Sequence, residues 1–258
     1  MIYYPISILM LSEIKEILII SSSDDLKILK KILGNGEEFG LKFSYETQDS
    51  PDGLAQGFLI GRKFLNGAPA ALVLGDNLLV GQDLTHILIK ACNSKFGATV
   101  FGYRVKNPKA FGVIEFDDNK KVISIEEKPT DPKSNYAVPG LYFYDENVCD
   151  YVKKLKPSKR GELEITDLNK IYLKRNSLFM ELLGRGTVWL DMGTNESLHK
   201  ASIYIKSIQE IQGFQIANLE EIALRKNWIT ADFLKENIQK QGKSDYSNYL
   251  INLINTKN

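Results

Sequence analysis

Two aspartates stand where runs of apolar residues end. AALVLGD (70 to 76) closes on Asp76 after a glycine that leaves the approach open, and TVWLDMGT (187 to 194) carries Asp191 at the same kind of position. Short apolar runs of this type read as buried strands. Two strand-end carboxylates, far apart in sequence but brought to one sheet edge, are the hard oxygen donors that a magnesium ion bridging phosphate oxygens needs. Either aspartate could equally cap the helix that follows it. A third group lies in VISIEEKP, where Glu127 and Lys128 leave a strand together ahead of a proline. They would offer an acceptor for sugar hydroxyls beside a cation for a phosphate, although such pairs also occur on solvated surfaces. Arg160, in KRGELEITDLN, either adds positive charge or lies at the surface beside the next helix, whose N-terminus Glu162 or Glu164 would favour. SPDGLAQGFLIG (50 to 61) adds a turn, Pro51-Asp52-Gly53, in which glycine is free to take positive φ and to let another group approach the backbone.

Composition narrows the choice of partner. The 258 residues are enough for one large domain, or one domain with an appendage, and should bury a sizeable core. Thirty-three basic and 32 acidic residues nearly cancel, so no global field points to nucleic acid or an anionic membrane. An anionic ligand must be held by local groups. Cys92 and Cys149 form neither a metal spacing nor a disulfide framework, which suits a reducing cytosol and a cytoplasmic location. MIYYPISILMLS lacks a basic leader, contains Pro5 and runs into Glu13, Lys15 and Glu16. It reads as neither a signal peptide nor a membrane span, which takes about 20 apolar residues. Gly34, Gly36 and Gly40 follow a helix instead of opening one after a strand, and so read as a helix stop and turn. His86 and His199 have no partner at metal or triad spacing.

The elements that must position these groups alternate. A helix beginning near Pro5 precedes a strand at EILIIS (16 to 21), then a helix DDLKILKKIL capped by Asp24 or Asp25, and a strand LKFSYETQ (41 to 48). GLAQGFLIGRKFL reads as a helix and AALVLGD as a strong buried strand. This is the βαβα rhythm of a doubly wound parallel sheet, whose ligands sit beyond the carboxyl ends of the strands. After about residue 98 strands dominate: GATVFGYRV, GVIEFDD, VISIEEKP and AVPGLYFYD. From Asn195 onward the pattern is mostly helical, with Asn218 and Glu221 a capping pair. The tyrosines and lysines near the C-terminus read as an amphipathic surface for subunit contact or core.

SPDGLAQ, LVLGDN, FGVIEF, ISIEEKP, KSNYAVPGLYFYD, RGELEITDLN and WLDMGT follow the order and spacing of one family. The chain resembles bacterial glucose-1-phosphate thymidylyltransferases, a branch of the sugar nucleotidyltransferases, from Met1 to close to its C-terminus. The resemblance implies an α/β fold with a Rossmann-like mixed sheet, helices on both faces and C-terminal helices. It divides the chain into a nucleotidyltransferase core over residues 1–205 and a helical appendage over 206–258. It implies transfer of a thymidylyl group from dTTP to glucose 1-phosphate, giving dTDP-glucose and pyrophosphate, the entry to dTDP-rhamnose and related deoxysugars. Gln48 would read the thymine edge, with Pro51 and Gly53 beside the base. Asp76 and Asp191 would hold Mg2+. Gly112, Glu127, Gly140 and Tyr142 would surround glucose, Lys128 would bind its phosphate, and Arg160 and Trp189 would shape that side. A homotetramer with a regulatory nucleotide-sugar site near the C-terminal helices is implied too.

Several positions depart from that pattern. The family carries a first strand and a glycine-rich loop, with an arginine and a following lysine that grip the triphosphate, ahead of the position Met1 occupies. The 258 residues contain no such loop, so the first strand is expected to be absent from the middle of the sheet. Phe111 replaces a tyrosine, Leu78-Leu79-Val80 a more aromatic run, Pro139 a threonine, and Met192 the threonine after the second aspartate. Two expectations follow: a thymidylyltransferase by family, or a defective relative that binds a sugar nucleotide or a partner, with little turnover from these residues alone.

Overall fold

The computed structural model describes residues 1–255. Helix α1 (Tyr3–Leu11) is apolar nearly all round, and Ile6, Ile8, Leu9 and Met10 are buried. Such a helix belongs inside a protein, and α1 lies against Ala70–Val73, Asn77–Gly81, Leu84–Cys92 and Leu219–Arg225. β1 (Glu16–Ser21) leads to α2 (Ser23–Leu33), whose cap is neither aspartate: the Ser22 side chain accepts from the Asp25 N–H at 3.2 Å. Gly34 ends that helix at φ 58°, and Gly36 and Gly40 follow with positive φ as a stop and turn. β2 (Lys42–Thr47) pairs in parallel with β1. The helix expected over GLAQGFLIGRKFL is interrupted at Gly61 into α3 (Gln56–Ile60) and α4 (Arg62–Leu65).

β3 (Ala70–Val73) stops short of the aspartate, and Asn77–Gly81 forms a separate strand, β4. α5 (Leu84–Cys92), β5 (Ala98–Arg104), β6 (Gly112–Phe116), β7 (Val122–Glu127), β8 (Tyr136–Ala137) and β9 (Leu141–Tyr144) follow. After α6 (Val148–Val152) and α7 (Ile165–Lys174) come β10 (Leu178–Leu182) and β11 (Thr187–Asp191). The large sheet runs β3-β9-β5-β8-β6-β7, with β10 also on β5. It is mixed: β10 is parallel to β5, whereas β9 is antiparallel to both β3 and β5, and β6 to both β7 and β8. The parallel rhythm of the sequence therefore holds for β1–β2 and β5–β10. β1 and β2 stand apart as a pair, and β11 and β4 form an antiparallel ribbon. All four residues of β3 are only half-buried, although their composition suits a strand covered on both sides.

Helices α8 (Asn195–Gln212), α9 (Leu219–Arg225), α10 (Ala231–Gln241) and α11 (Asp245–Asn255) complete the chain. Residue 205 falls inside α8. Leu219, Ala223, Leu234 and Leu250 share one apolar cluster with Ile6, Met10, Ile17 and Phe43, so the last three helices cover β1, β2 and α1. Asn218 caps α9 by accepting from the Glu221 N–H at 2.8 Å. The Glu221 carboxylate turns instead to Arg225, at 2.8 Å, and to the Tyr249 hydroxyl, at 2.5 Å.

Candidate active site

The two aspartates come together through the β4–β11 ribbon, where Asp191 stands opposite Asn77. The ribbon continues past the strand end, because the Met192 N–H donates to the Asp76 carbonyl at 2.8 Å. One glycine marks how close the carboxylates are. A Cβ built on Gly193 would lie 3.1 Å from Asp191 Oδ1 and 3.2 Å from Asp76 Oδ2. The Gly193 N–H donates to Asp191 Oδ1 at 2.9 Å, and α8 takes its cap from Thr194, in a reciprocal box with Ser197. Neither aspartate is a helix cap. The donor set is two half-buried carboxylates with no ion-pair partner among the described residues, and such hard oxygens with open space between them fit a magnesium ion that keeps several waters.

Asn77 holds this corner. Its Oδ1 accepts from the Trp189 indole N–H at 2.6 Å and from the Gly140 N–H at 3.1 Å, and its Nδ2 donates to Asp76 Oδ1 at 2.9 Å. Asn77 is buried and makes all three of these bonds at once, so Asp76, β9 and β11 are fixed relative to one another. Gly140 is required by close approach: a Cβ there would sit 2.5 Å from the Leu74 side chain. Trp189 is 7 % exposed and lies edge-on to Tyr103 and Phe111, so it supports the site from the core.

The opposite wall is built on β6, β7 and α7. Gly112 pairs with Glu127 across β6 and β7, and a Cβ on it would lie 3.5 Å from Glu127 Oε2. The Thr166 hydroxyl donates to that same oxygen at 2.6 Å, which fixes the carboxylate from the first turn of α7. Burial, and then repulsion from Glu127, raise the pKa of the Tyr142 phenol well above its ordinary value, so it stays protonated at neutral pH. Arg160 is committed elsewhere. Its Nε and Nη2 bond Glu164 at 3.1 and 2.9 Å, and Glu127 lies 3.9 Å away. Those bonds, chiefly to Glu164, raise the guanidinium pKa further. Lys128 differs: it is exposed, holds φ 41°, and its ammonium has no partner among the described residues.

The Pro-Asp-Gly turn packs on the loop that carries Arg160. The Leu163 N–H donates to the Asp52 carbonyl at 2.7 Å, and the Ala55 N–H donates to the Leu163 carbonyl at 3.2 Å. Gly53 has φ 102°, and a Cβ there would stand 2.4 Å from the Leu163 oxygen. No other residue fits without moving one of the two loops. Around the turn, Gln56 donates to Asp52 at 2.8 Å while Gln48 Nε2 donates to Gln56 at 2.6 Å and to the Gly53 carbonyl at 3.3 Å. Hydrogen bonds from Ser50 and Gln56 hold the Asp52 carboxyl below its usual range. The Gln48 amide nitrogen is thereby used, which leaves its Oε1 without a hydrogen-bond partner among the described residues.

Asn77, Thr166, Gln56 and Glu164 were not legible as site residues. Asn77 and Thr166 act through partners distant in sequence, whereas Gln56 and Glu164 meet theirs four residues away, and only LGDN, with its carboxamide beside the aspartate, carried a signal. The two histidines are exposed, in keeping with their lack of a partner at catalytic spacing. Both cysteines are free thiols with pKa raised chiefly by burial.

Residues 1–207 match the sequence model of the nucleotidyl transferase family, and the chain belongs to that family. Within it, the chain is 51 % identical over 254 residues to a glucose-1-phosphate thymidylyltransferase of Neisseria meningitidis, covering 98 % of this chain and 88 % of that one. A relative of the same name from Xanthomonas campestris is 52 % identical over 250 residues, covering 97 % and 85 %. A crystal structure from Bacillus anthracis, named for the same transferase and solved with sucrose, superposes with a TM-score of 0.72 at 40 % identity, over 79 % of this chain and 81 % of that one.

Proposed function

We propose that the chain joins glucose 1-phosphate to the thymidylyl group of dTTP. A phosphate oxygen of the sugar phosphate attacks the α-phosphorus in line. The new P–O bond forms as the bond to the β-phosphate oxygen breaks, and pyrophosphate leaves. The substrate supplies the nucleophile, so the protein positions two anions and offsets their charge. The convergence of Asp76 and Asp191 on Gly193 carries this reading. A magnesium ion held there by both carboxylates would neutralise phosphate charge.

Each remaining group has a role that suits its surroundings. Gln48 Oε1 accepts from the thymine N3–H, and the Pro51–Gly53 turn lets the base lie against bare backbone. Glu127, fixed by Thr166, accepts from glucose hydroxyls, while Gly112 and Gly140 leave room for the ring and the protonated Tyr142 borders it. Lys128 meets the sugar phosphate. Left-handed backbone at a lysine costs on the order of 1 kcal/mol or more and is characteristic of functional positions. Arg160, already paired with Glu164, shapes this wall more than it charges it. Trp189 acts through Asn77.

A homotetramer accords with the exposed Ile203, Ile211 and Phe214 on and just after α8. A cytoplasmic location accords with two unpaired thiols, and no helix among the described residues is long and apolar enough to cross a membrane. Pyrophosphate release from dTTP in the presence of glucose 1-phosphate and magnesium tests the activity. The expected result is release that depends on both substrates; release that does not require the sugar phosphate overturns the assignment.

A further inference from the structure

Helix α7 carries a row of polar side chains at every third residue of its buried face. Thr166, Asn169 and Tyr172 are all buried, and steps of three keep neighbours in the row on one side of a helix. Each reaches a different part of the sheet. The Thr166 hydroxyl donates to Glu127 Oε2 at the end of β7, at 2.6 Å, and Asn169 Oδ1 accepts from the Tyr144 hydroxyl on β9, at 2.7 Å. The Tyr172 hydroxyl donates to Oδ1 of Asp145, just past β9, at 2.9 Å. Asp145 is itself held by the Gly97 and Asn147 N–H groups, at 2.9 and 3.0 Å. Through Tyr144 the row also meets Tyr142, since the two rings stack with centroids 6.1 Å apart and planes 13° from parallel.

Stability alone does not account for this row. Ile165 and Leu168, beside it on α7, belong to an apolar cluster with Phe58, Val100, Ile125 and Met180, and a leucine in place of Asn169 would suit such surroundings. Asn169 is instead an amide whose Nδ2 is buried without a partner among the described residues, which costs stability. Apolar burial is non-directional and sets the position of a helix less sharply than a hydrogen bond does. A shift by one residue moves a helix about 1.5 Å along its axis and turns it about 100°. An O–H···O bond does not survive that displacement.

We infer that Asn169 and Tyr172, with their partners Tyr144 and Asp145, are positioning residues: they fix the register of α7 against β9, so that Thr166 stands where it orients the Glu127 carboxylate. Buried polar pairs suit this task because they specify one arrangement at some cost in stability. The consequence for the sugar rests on the function proposed above, in which Glu127 accepts from glucose hydroxyls and Tyr142 borders the ring. One helix then sets the spacing of both sugar-facing strands, β7 through Thr166 and β9 through Asn169.

The decisive variant combines Tyr144→Phe with Asn169→Leu. It removes donor and acceptor together, so neither partner is left stranded in the core. A crystal structure of this variant should show the Thr166 hydroxyl more than about 3.5 Å from Glu127 Oε2, against 2.6 Å in the unaltered chain. In the transferase assay its KM for glucose 1-phosphate should rise at least about fivefold, with KM for dTTP changed less than about twofold. Tyr172→Phe tests the next position of the row and leaves Asp145 its two backbone bonds, so it carries the same test where the double variant does not fold. Its KM for the sugar phosphate should rise at least about threefold. A Thr166–Glu127 bond that stays intact overturns the inference and makes the row merely structural, and so does an equal rise in both KM values. A displaced Thr166 with both KM values unchanged upholds the row as a positioning device and removes Glu127 from the sugar site, so the two readings fail separately.

Discussion

The two sides of the candidate site are held in different ways. Around Asp76 the positioning bonds are buried and reach across the fold: Asn77 joins β4, β9 and β11 through Gly140 and Trp189. Around the Pro-Asp-Gly turn the side chains satisfy one another at the surface, and Ser50, Asp52, Gln56 and Gln48 form a local chain of hydrogen bonds. A buried polar group that loses its partner pays the full desolvation cost, whereas an exposed one is rescued by water. The aspartate side should therefore be intolerant of change, and the turn side tolerant except where backbone meets backbone.

The harshest trial of that contrast is Asp76→Asn. We expect kcat to fall at least about a thousandfold, with an unchanged circular dichroism spectrum, since the Asn77 amide can still be accepted by the new side chain. Surviving activity would remove Asp76 from the chemistry. Asn77→Ala comes next. It strands the Trp189 and Gly140 N–H donors in the core, and denaturant unfolding should show a loss of about 2–5 kcal/mol. A loss under about 1 kcal/mol would mean that the buried bonds do not fix this corner.

Gly53→Ala probes the one rigid point of the turn. Its Cβ has no room beside Leu163, and the φ of 102° is unsuited to alanine, so a stability loss of about 1–3 kcal/mol is expected in the same unfolding measurement. KM for dTTP should rise as well. Gln48→Ala has the smallest effect: stability should barely move, and the preference for dTTP over other nucleoside triphosphates should fall about tenfold in competition assays. Unchanged selectivity would place the base elsewhere.

Much of the fold was readable because its signals are local. EILIIS, GVIEF and TVWLD are strands where apolar runs predicted them, and Asn218 caps α9 as its spacing suggested. Other elements differ for physical reasons. Ser22 outcompetes the aspartates as the cap of α2 because it holds the extended backbone a cap needs, φ −61° and ψ 155°. The run ending at Asp76 is strand only as far as Val73, because Leu74 to Asp76 turn to feed the ribbon of β4 with β11. Arg160, which the residue types left open between a charged wall and a surface position, is tied down by Glu164, four residues on.

By itself the sequence determined which groups are available: carboxylates at the ends of apolar runs, a Glu-Lys pair leaving a strand, and a Pro-Asp-Gly turn whose glycine is free to take positive φ. These follow from local rules of periodicity and backbone sterics, which act over a few residues. The tertiary structure decided which of them meet. Asp76 and Asp191 are 115 positions apart in number and share the space over Gly193 only because β4 and β11 pair in one register.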